Sequence, residues 1–122
     1  MLILICGDRN WTDRAAIVRE IQKVVVQQSP DAPCPTIMHG AARGADTLAG
    51  QVAKSLGLLI RVYPADWNLY GRAAGPIRNQ QMLDQNPDIV LAFHPDINKS
   101  KGTADMVRRA RKKGIPVQVF DR

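Results

Sequence analysis

Glycine, arginine and aspartate residues gather in residues 39–46, a segment whose composition suits phosphate binding. Gly40 and Gly44 leave the backbone N–H groups open, and Arg43 adds a forked donor for a phosphate or carboxylate. Asp46 follows within the first turn of a predicted helix, where it could cap that helix or bind a ribose hydroxyl. The segment predicts an anion site at a helix N-terminus, with a simple tight turn as the alternative.

A second glycine-containing turn, residues 100–103, opens another predicted helix. Backbone N–H groups around Gly102 could take an anion, or Ser100 or Thr103 could simply cap the helix. Farther along, Asp105 is spaced for an ion pair with Arg108 and Arg109, which predicts a solvated helix face.

Aromatic, acidic and basic side chains share residues 64–79, a segment longer than the usual connection. Trp67 or Tyr70 could stack on a base, and Asp66 could act as an acid, a base or a hydroxyl ligand. Arg78, followed by Asn79, could pair with a phosphate. The alternative for Trp67 is that it covers the sheet as a hydrophobic cap.

Several common sites are disfavoured by what the sequence lacks. Gly7 is not followed by the further glycines of a dinucleotide fingerprint, and residues 40–47 lack the Gly-Lys-Ser/Thr ending of a P-loop. His39 and His94 have no placed carboxylate or thiolate partner, so no metal site is predicted. NAD-dependent and ATPase functions are disfavoured, and no cofactor is expected.

The elements that must position these residues alternate between short apolar blocks and longer segments with helical spacing. This alternation is typical of an α/β protein, and we expect a five-stranded, mainly parallel sheet with helices on both faces. A first helix should begin with Thr12 as its N-cap and end before Pro30. The predicted strands are residues 2–6, 36–38, 59–63, 89–93 and 116–120, and the later helices are residues 44–56, 74–85 and 103–113.

In such a sheet, ligands bind outside the carboxyl ends of the strands, which is where the segments described above lie. At 122 residues the chain is expected to form one domain over residues 1–122. Its formal charge of +6 favours an anionic partner, but the six aromatic residues are not interleaved with the basic ones, so nucleic acid is the weaker alternative. Two cysteines and no membrane-length apolar stretch predict a cytoplasmic protein that does not contact a membrane.

Taken together, these motifs resemble the SLOG superfamily, the Rossmann-like group that includes the Lonely-guy phosphoribohydrolases and the DNA-processing protein A. Within it, the chain is similar to the small bacterial and phage branch called DUF2493, or YspA-like. Two departures stand out: Asp8 replaces the usual Ser after the first glycine, and Ala41 and Ala42 lie in a stretch that is usually glycine-rich. The matching positions are Gly7, Arg9, Trp11, Asp13, Gly40, Arg43 to Asp46, Pro64 to Trp67, Gly71, Ala74, Gly75, Arg78, Asn79, Met82, Ser100, Gly102 and Thr103.

The resemblance implies a nucleotide or nucleotide-derived ligand and, for some relatives, hydrolysis of an N-glycosidic bond. The Lonely-guy enzymes carry a catalytic Glu beyond Gly-Thr, where this chain has Met106 next to Asp105. We therefore expect a sensor or carrier, with a nucleotide N-glycosidase that uses Asp66, Asp46 or Asp105 as the alternative. A homo-oligomer is also open, since relatives often self-associate. The expected ligand-binding residues are Gly7, Arg9, Gly40, Arg43, Gly44, Asp46, Trp67, Arg78, Asn79, Ser100, Gly102 and Thr103.

Overall fold

Five short apolar segments form one sheet in which every neighbouring pair of strands is parallel. The computed structural model describes residues 1–122. The strands are β1 (Leu2–Gly7), β2 (Thr36–His39), β3 (Leu59–Val62), β4 (Ile89–Phe93) and β5 (Val117–Phe120), in the order β3-β2-β1-β4-β5. The predicted α/β class is confirmed, and each strand boundary agrees with its prediction to within one residue.

The four predicted helices are present, and a short fifth one lies among them. They are α1 (Arg14–Val26), α2 (Ala45–Ser55), α3 (Trp67–Tyr70), α4 (Ala74–Leu83) and α5 (Gly102–Lys112). Turns of 3-10 helix at Gly71–Ala73 and Ile97–Lys99 precede α4 and α5. None of these helices combines the length and the apolar character needed to cross a membrane.

The sheet is covered on both faces by helices. Side chains from α1 and α2 pack with Ile3, Ile5 and Phe93 on one face, whereas α4 and α5 pack with Leu4 and Met38 on the other. Successive residues of a strand point to opposite faces, which is why β1 needs the continuous apolar run seen in the sequence.

Edge strand β3 is the exception to this double coverage. All four of its residues are exposed, and Leu59 retains 58% of its accessible surface. Apolar composition therefore does not mean burial here, because β3 has a neighbouring strand on one side only and contributes no residue to either buried core cluster.

Two local predictions are wrong. The N-cap of α1 is Asp13 rather than Thr12, because the Asp13 carboxylate accepts a hydrogen bond from the N–H of Ala16 (3.0 Å). The long connection predicted for residues 64–79 is mostly helical, since α3, the 3-10 turn and the start of α4 fill it. Pro76 is tolerated there because it lies in the first turn of α4.

Candidate functional site

A cleft of about 970 Å³ lies at the carboxyl ends of the strands. It opens beside β1, where the chain order of the sheet reverses, because β2 and β3 extend to one side of β1 while β4 and β5 extend to the other. Ligand sites in open α/β sheets form at this kind of switch point. Its volume is in the range of small-molecule sites.

Most of the predicted ligand-binding residues line this cleft, although they come from five separate segments of the chain. Three of the predicted site residues do not line it: Gly44, Asp66 and Asp105. Those that do are Gly7, Arg9, Gly40, Arg43, Asp46, Trp67, Arg78, Asn79, Ser100, Gly102 and Thr103.

The loop between β2 and α2 is held by Asp46, which reaches back from the first turn of the helix. Its Oδ2 atom accepts hydrogen bonds from the N–H groups of Gly40 (3.0 Å) and Ala42 (3.2 Å). Burial raises the pKa of the Asp46 carboxyl from its ordinary 3.8 to about 6, although these hydrogen bonds and the charge of Arg78 oppose the rise. Asp46 therefore shapes the loop and also places a carboxyl that titrates near neutral pH on the cleft wall.

Gly44 lies behind the cleft surface and joins two of its loops. It has a φ of +80°, and a Cβ atom at this position would collide with the backbone carbonyl groups of Asp8 and Arg9. The next residue, Ala45, donates a backbone hydrogen bond to the Asp8 carbonyl (3.1 Å). Gly44 thus allows close approach of the β1 and β2 loops.

Arg78 projects from α4 onto the opposite side of the same loop. Its Nη1 donates to the carbonyl oxygen of Gly40 (2.6 Å), and its Nε donates to Oδ1 of Asn79 (3.0 Å). Burial lowers the pKa of the guanidinium, while Asp46 counters this effect. Because the ordinary pKa of arginine is so high, the group still carries its charge at neutral pH. The cleft therefore contains one fixed, partly desolvated cation.

Asn79 continues the network toward α5. Its Nδ2 donates to Oδ2 of Asp105 (3.0 Å) and to the carbonyl of Gly102 (3.3 Å). Asp105 also accepts from Arg108 (2.6 Å) and Arg109 (2.9 Å). The expected ion pair exists, but the prediction that Asp105 lies on a solvated face is wrong, because only 8% of it is exposed.

The first turn of α5 forms one wall of the cleft. Ser100 Oγ accepts a hydrogen bond from the N–H of Thr103 (2.9 Å), so the capping alternative holds for Ser100. The N–H groups of Gly102 and Ala104 have no acceptor within the chain. Such N–H groups at a helix start carry partial positive charge.

The segment between β3 and α4 contributes an aromatic edge. Trp67 lines the cleft with 53% of its surface exposed, so it does not cover the sheet as a hydrophobic cap. Asp66 is the N-cap of α3, and its Oδ1 accepts from the N–H of Leu69 (3.0 Å). Its carboxylate is thus occupied in starting the short helix that presents Trp67.

The two histidines do not line the cleft. His39 is buried, and its Nδ1 accepts a hydrogen bond from the N–H of Ala41 (3.0 Å). Burial, followed by the charge of Arg78, lowers the pKa of His39. His94 binds its own loop in the same way, through the N–H of Asp96 (2.9 Å). Both are loop-stabilising residues.

Several cleft residues are missing from the sequence-based set. Lys101 and Asp8 sit beside predicted residues, so their position at the carboxyl end of a strand or the start of a helix could have indicated them. Cys6 also reaches the cleft from the end of β1, where burial raises the pKa of its thiol. The others are Asn10, Ala41, Ala42, Pro64, Ala65 and Met82.

The charge of the lining is predominantly positive. Arg9, Arg43 and Lys101 are exposed around the cleft, and Arg78 lies deeper within it. Only two carboxylates, Asp8 and Asp46, line it. The arrangement can attract and hold an anion, with helix N-termini and cationic side chains acting together.

Two comparisons with known proteins bear on this arrangement. The family model described as YAcAr, "YspA, cpYpsA-related SLOG family", matches residues 1–70. The chain is also 34% identical over 123 residues to the Gene 61 protein of Mycobacterium phage D29, an alignment that covers 97% of this chain and 94% of that relative. The matched residues 1–70 include the β1 and β2 loops and Trp67.

Proposed function

Because the chain belongs to the YspA, cpYpsA-related SLOG family, we propose that it binds a nucleotide or a nucleotide-derived phosphorylated molecule in the cleft, as a sensor or carrier. Family membership supports a nucleotide-related ligand in general terms. The proposal of a phosphorylated ligand in this cleft rests on one observation. The cleft is lined together by the α5 N-terminus, the loop at Gly40 and the Arg78 guanidinium.

The phosphate end of the ligand is assigned to the first turn of α5 and to Arg78. The N–H groups of Gly102 and Ala104 lack acceptors, and Arg78 supplies a charge from the facing wall. A hydrogen bond to a charged group contributes about 1.5–3 kcal/mol, and a micromolar complex needs about 8 kcal/mol. Three or four such contacts are sufficient.

The base end of the ligand is assigned to Trp67. Its ring is half-exposed on the cleft edge, and α3, capped by Asp66, holds its backbone. A stacked base contributes about 1–3 kcal/mol in nucleic-acid complexes, which is comparable with one phosphate contact. We infer that a nucleotide binds more tightly than inorganic phosphate because only the nucleotide reaches both ends.

The proposal is tested by native mass spectrometry of the freshly purified protein, followed by thermal unfolding with AMP, ADP, ATP and ADP-ribose. Arg43→Ala removes an exposed cleft cation, and we expect it to weaken nucleotide binding about tenfold. Arg111→Ala is the matched control, because Arg111 is exposed in the last turn of α5 and does not line the cleft.

We expect Arg111→Ala to leave nucleotide binding unchanged. Equal losses in the two variants would mean that net charge alone attracts the ligand, and absence of any nucleotide-dependent stabilisation would refute the proposal.

The mass spectrum also gives the subunit count. We expect a cytoplasmic protein with two free thiols, and the exposed edge strand β3 is consistent with self-association.

Hydrolysis of a nucleotide N-glycosidic bond is a second candidate because of Asp46. Of the three aspartates considered, it alone lines the cleft, and its pKa of about 6 keeps a protonated fraction near neutral pH. A carboxylic acid of this kind can protonate a departing base.

The hydrolytic candidate is tested by the release of free base from the same nucleotides. This candidate requires wild-type protein to release base and Asp46→Asn to lose that activity while still binding. Binding without base release by the wild-type protein would exclude this candidate and leave the binding proposal intact.

A further inference from the structure

Asn79 is buried, with only 4% of the residue exposed, and both ends of its side-chain amide form hydrogen bonds. Its Oδ1 accepts from Nε of Arg78 (3.0 Å), while its Nδ2 donates to the Gly102 carbonyl (3.3 Å) and to Oδ2 of Asp105 (3.0 Å). A side-chain amide accepts at one atom and donates two hydrogens at the other. An aspartate or a leucine of similar size cannot reproduce this set.

The groups at the two ends of this amide belong to different parts of the cleft. Arg78 is bonded to the Gly40 carbonyl, in the loop that precedes α2. Gly102 and Asp105 belong to the first turn of α5. Asn79 therefore joins the fixed cation to the helix start that faces it.

Asp105 is the anchor of this connection. Both of its oxygens are occupied, because Arg108 and Arg109 bind Oδ1 (2.6 and 3.0 Å) and Arg109 and Asn79 bind Oδ2 (2.9 and 3.0 Å). Arg109 also donates to Gln80 Oε1 on α4 (3.1 Å). A carboxylate held by four hydrogen bonds and absent from the cleft lining has no oxygen free for proton transfer to a ligand.

We propose that Asn79 is a positioning residue that fixes the Arg78 guanidinium and the first turn of α5 relative to each other, with Asp105 as its anchor rather than as an acid or base. Its value for binding rests on the function proposed above, since Arg78 and the α5 turn are the groups assigned to phosphate. The connection itself exists in the ligand-free protein and is testable there.

The test uses variants that break the hydrogen bonds at one end of the amide at a time. Asn79→Asp keeps an acceptor for Arg78 Nε but turns an oxygen toward Asp105 and Gly102. It therefore breaks the hydrogen bonds to α5. Asp105→Asn keeps an acceptor for the Asn79 amide and serves as the matched single change. The double variant Asn79→Asp/Asp105→Asn reverses the hydrogen bond, with residue 105 now the donor.

Two readouts are taken on ligand-free protein: the ¹⁵N resonance of Arg78 Nε–H, and hydrogen exchange of the Asp105 amide, which donates to the Lys101 carbonyl (3.0 Å). In Asn79→Asp we expect the Arg78 resonance to be retained and hydrogen exchange at Asp105 to become about tenfold faster. The reason is that the loss of one hydrogen bond lowers the free energy of local opening at the start of α5. In the double variant we expect most of the protection to return.

Unchanged exchange in Asn79→Asp, or a double variant no better protected than that single variant, overturns the proposal. If Asn79→Asp does not fold, Asn79→Ala replaces it, and the Arg78 resonance and the Asp105 protection should then be lost together. Loss of only one of the two in Asn79→Ala overturns the proposal as well.

A parallel titration with ADP separates this inference from the proposed function. We expect about tenfold weaker ADP binding in Asn79→Asp and recovery in the double variant. If wild-type protein does not bind ADP or the other nucleotides, the proposed function fails, while the ligand-free resonance and exchange data still decide whether Asn79 couples the two walls.

Discussion

The guanidinium of Arg78 occupies the space that a Cβ atom at Gly40 would need. The ideal Cβ position lies only 2.6 Å from Cζ of Arg78, and Nη1 of the same side chain donates to the Gly40 carbonyl at 2.6 Å. Position 40 therefore needs glycine because the Arg78 side chain from α4 fills the space of a Cβ atom. Position 44 needs glycine because its φ is positive and because two backbone carbonyl groups lie where a Cβ atom would be.

Gly40→Ala should expel the Arg78 side chain from its position and weaken ADP binding about tenfold, the equivalent of one charged hydrogen bond. Isothermal titration measures the change. Gly75→Ala is the matched control, because its Cβ atom would meet only Trp67 at an ordinary contact distance of 3.5 Å. Equal affinities for Gly40→Ala and wild type would show that Arg78 does not need this position.

Gly44→Ala should lower the free energy of unfolding by about 2–4 kcal/mol, because backbone strain adds to a collision with the carbonyl groups behind the loop. Gly57→Ala provides the comparison, since Gly57 has a similar φ of +72° but no atom within 4 Å of the added Cβ. We expect a cost of about 1 kcal/mol there. Urea denaturation distinguishes the two, and equal costs would argue against close approach of the loops.

Ala41→Gly should stabilise the protein by about 1 kcal/mol, because Ala41 has a φ of +60° that glycine adopts without strain. This position lies in the stretch that is usually glycine-rich in similar proteins. Ala42→Gly is the control, since the φ of Ala42 is not positive and glycine should there lower stability. Thermal unfolding reports both, and a destabilised Ala41→Gly protein would contradict the expectation.

Asp46→Asn should change the pH dependence of stability. The folded pKa of about 6 exceeds the ordinary 3.8, so the folded protein binds the extra proton and the contribution of Asp46 to stability is lost as pH rises between these values. The gap corresponds to about 3 kcal/mol.

We therefore expect the free energy of unfolding of Asp46→Asn, relative to wild type, to increase by up to about 3 kcal/mol between pH 4 and pH 7. Urea denaturation at four pH values measures it. The asparagine retains an oxygen that can accept from the loop N–H groups. A difference that is flat or falls with pH would mean that Asp46 is not desolvated in the folded protein.

The strands and most of the cleft could be predicted because they depend on local patterns. Apolar runs identify β1 and β4, and the carboxyl-end rule then places Gly40, Arg78 and Ser100 around one opening. Hydrogen-bonded side chains were less predictable. In the sequence, Asp66 and Asp46 are equally plausible site residues, because each follows a strand in a polar segment. In the structure Asp66 caps α3, whereas Asp46 turns inward and binds the Gly40 loop.

Asp105 illustrates the limit of helical spacing. Its separation from Arg108 and Arg109 correctly predicts the ion pairs, yet the same spacing cannot reveal that α4 packs against this face. Asn79, Gln80 and the two arginines bury the carboxylate together. Only the tertiary packing of two helices far apart in the chain supplies that information.

The residues lining the cleft run from Cys6 near the start of the chain to Thr103 near its end. The opening consequently exists only when segments separated by almost the whole sequence have docked. A bound nucleotide would hold both halves together and raise the stability of the entire fold by about 2.7 kcal/mol at a hundredfold excess over its Kd. Resistance to unfolding or proteolysis would then keep rising with nucleotide concentration even after the cleft is nearly saturated.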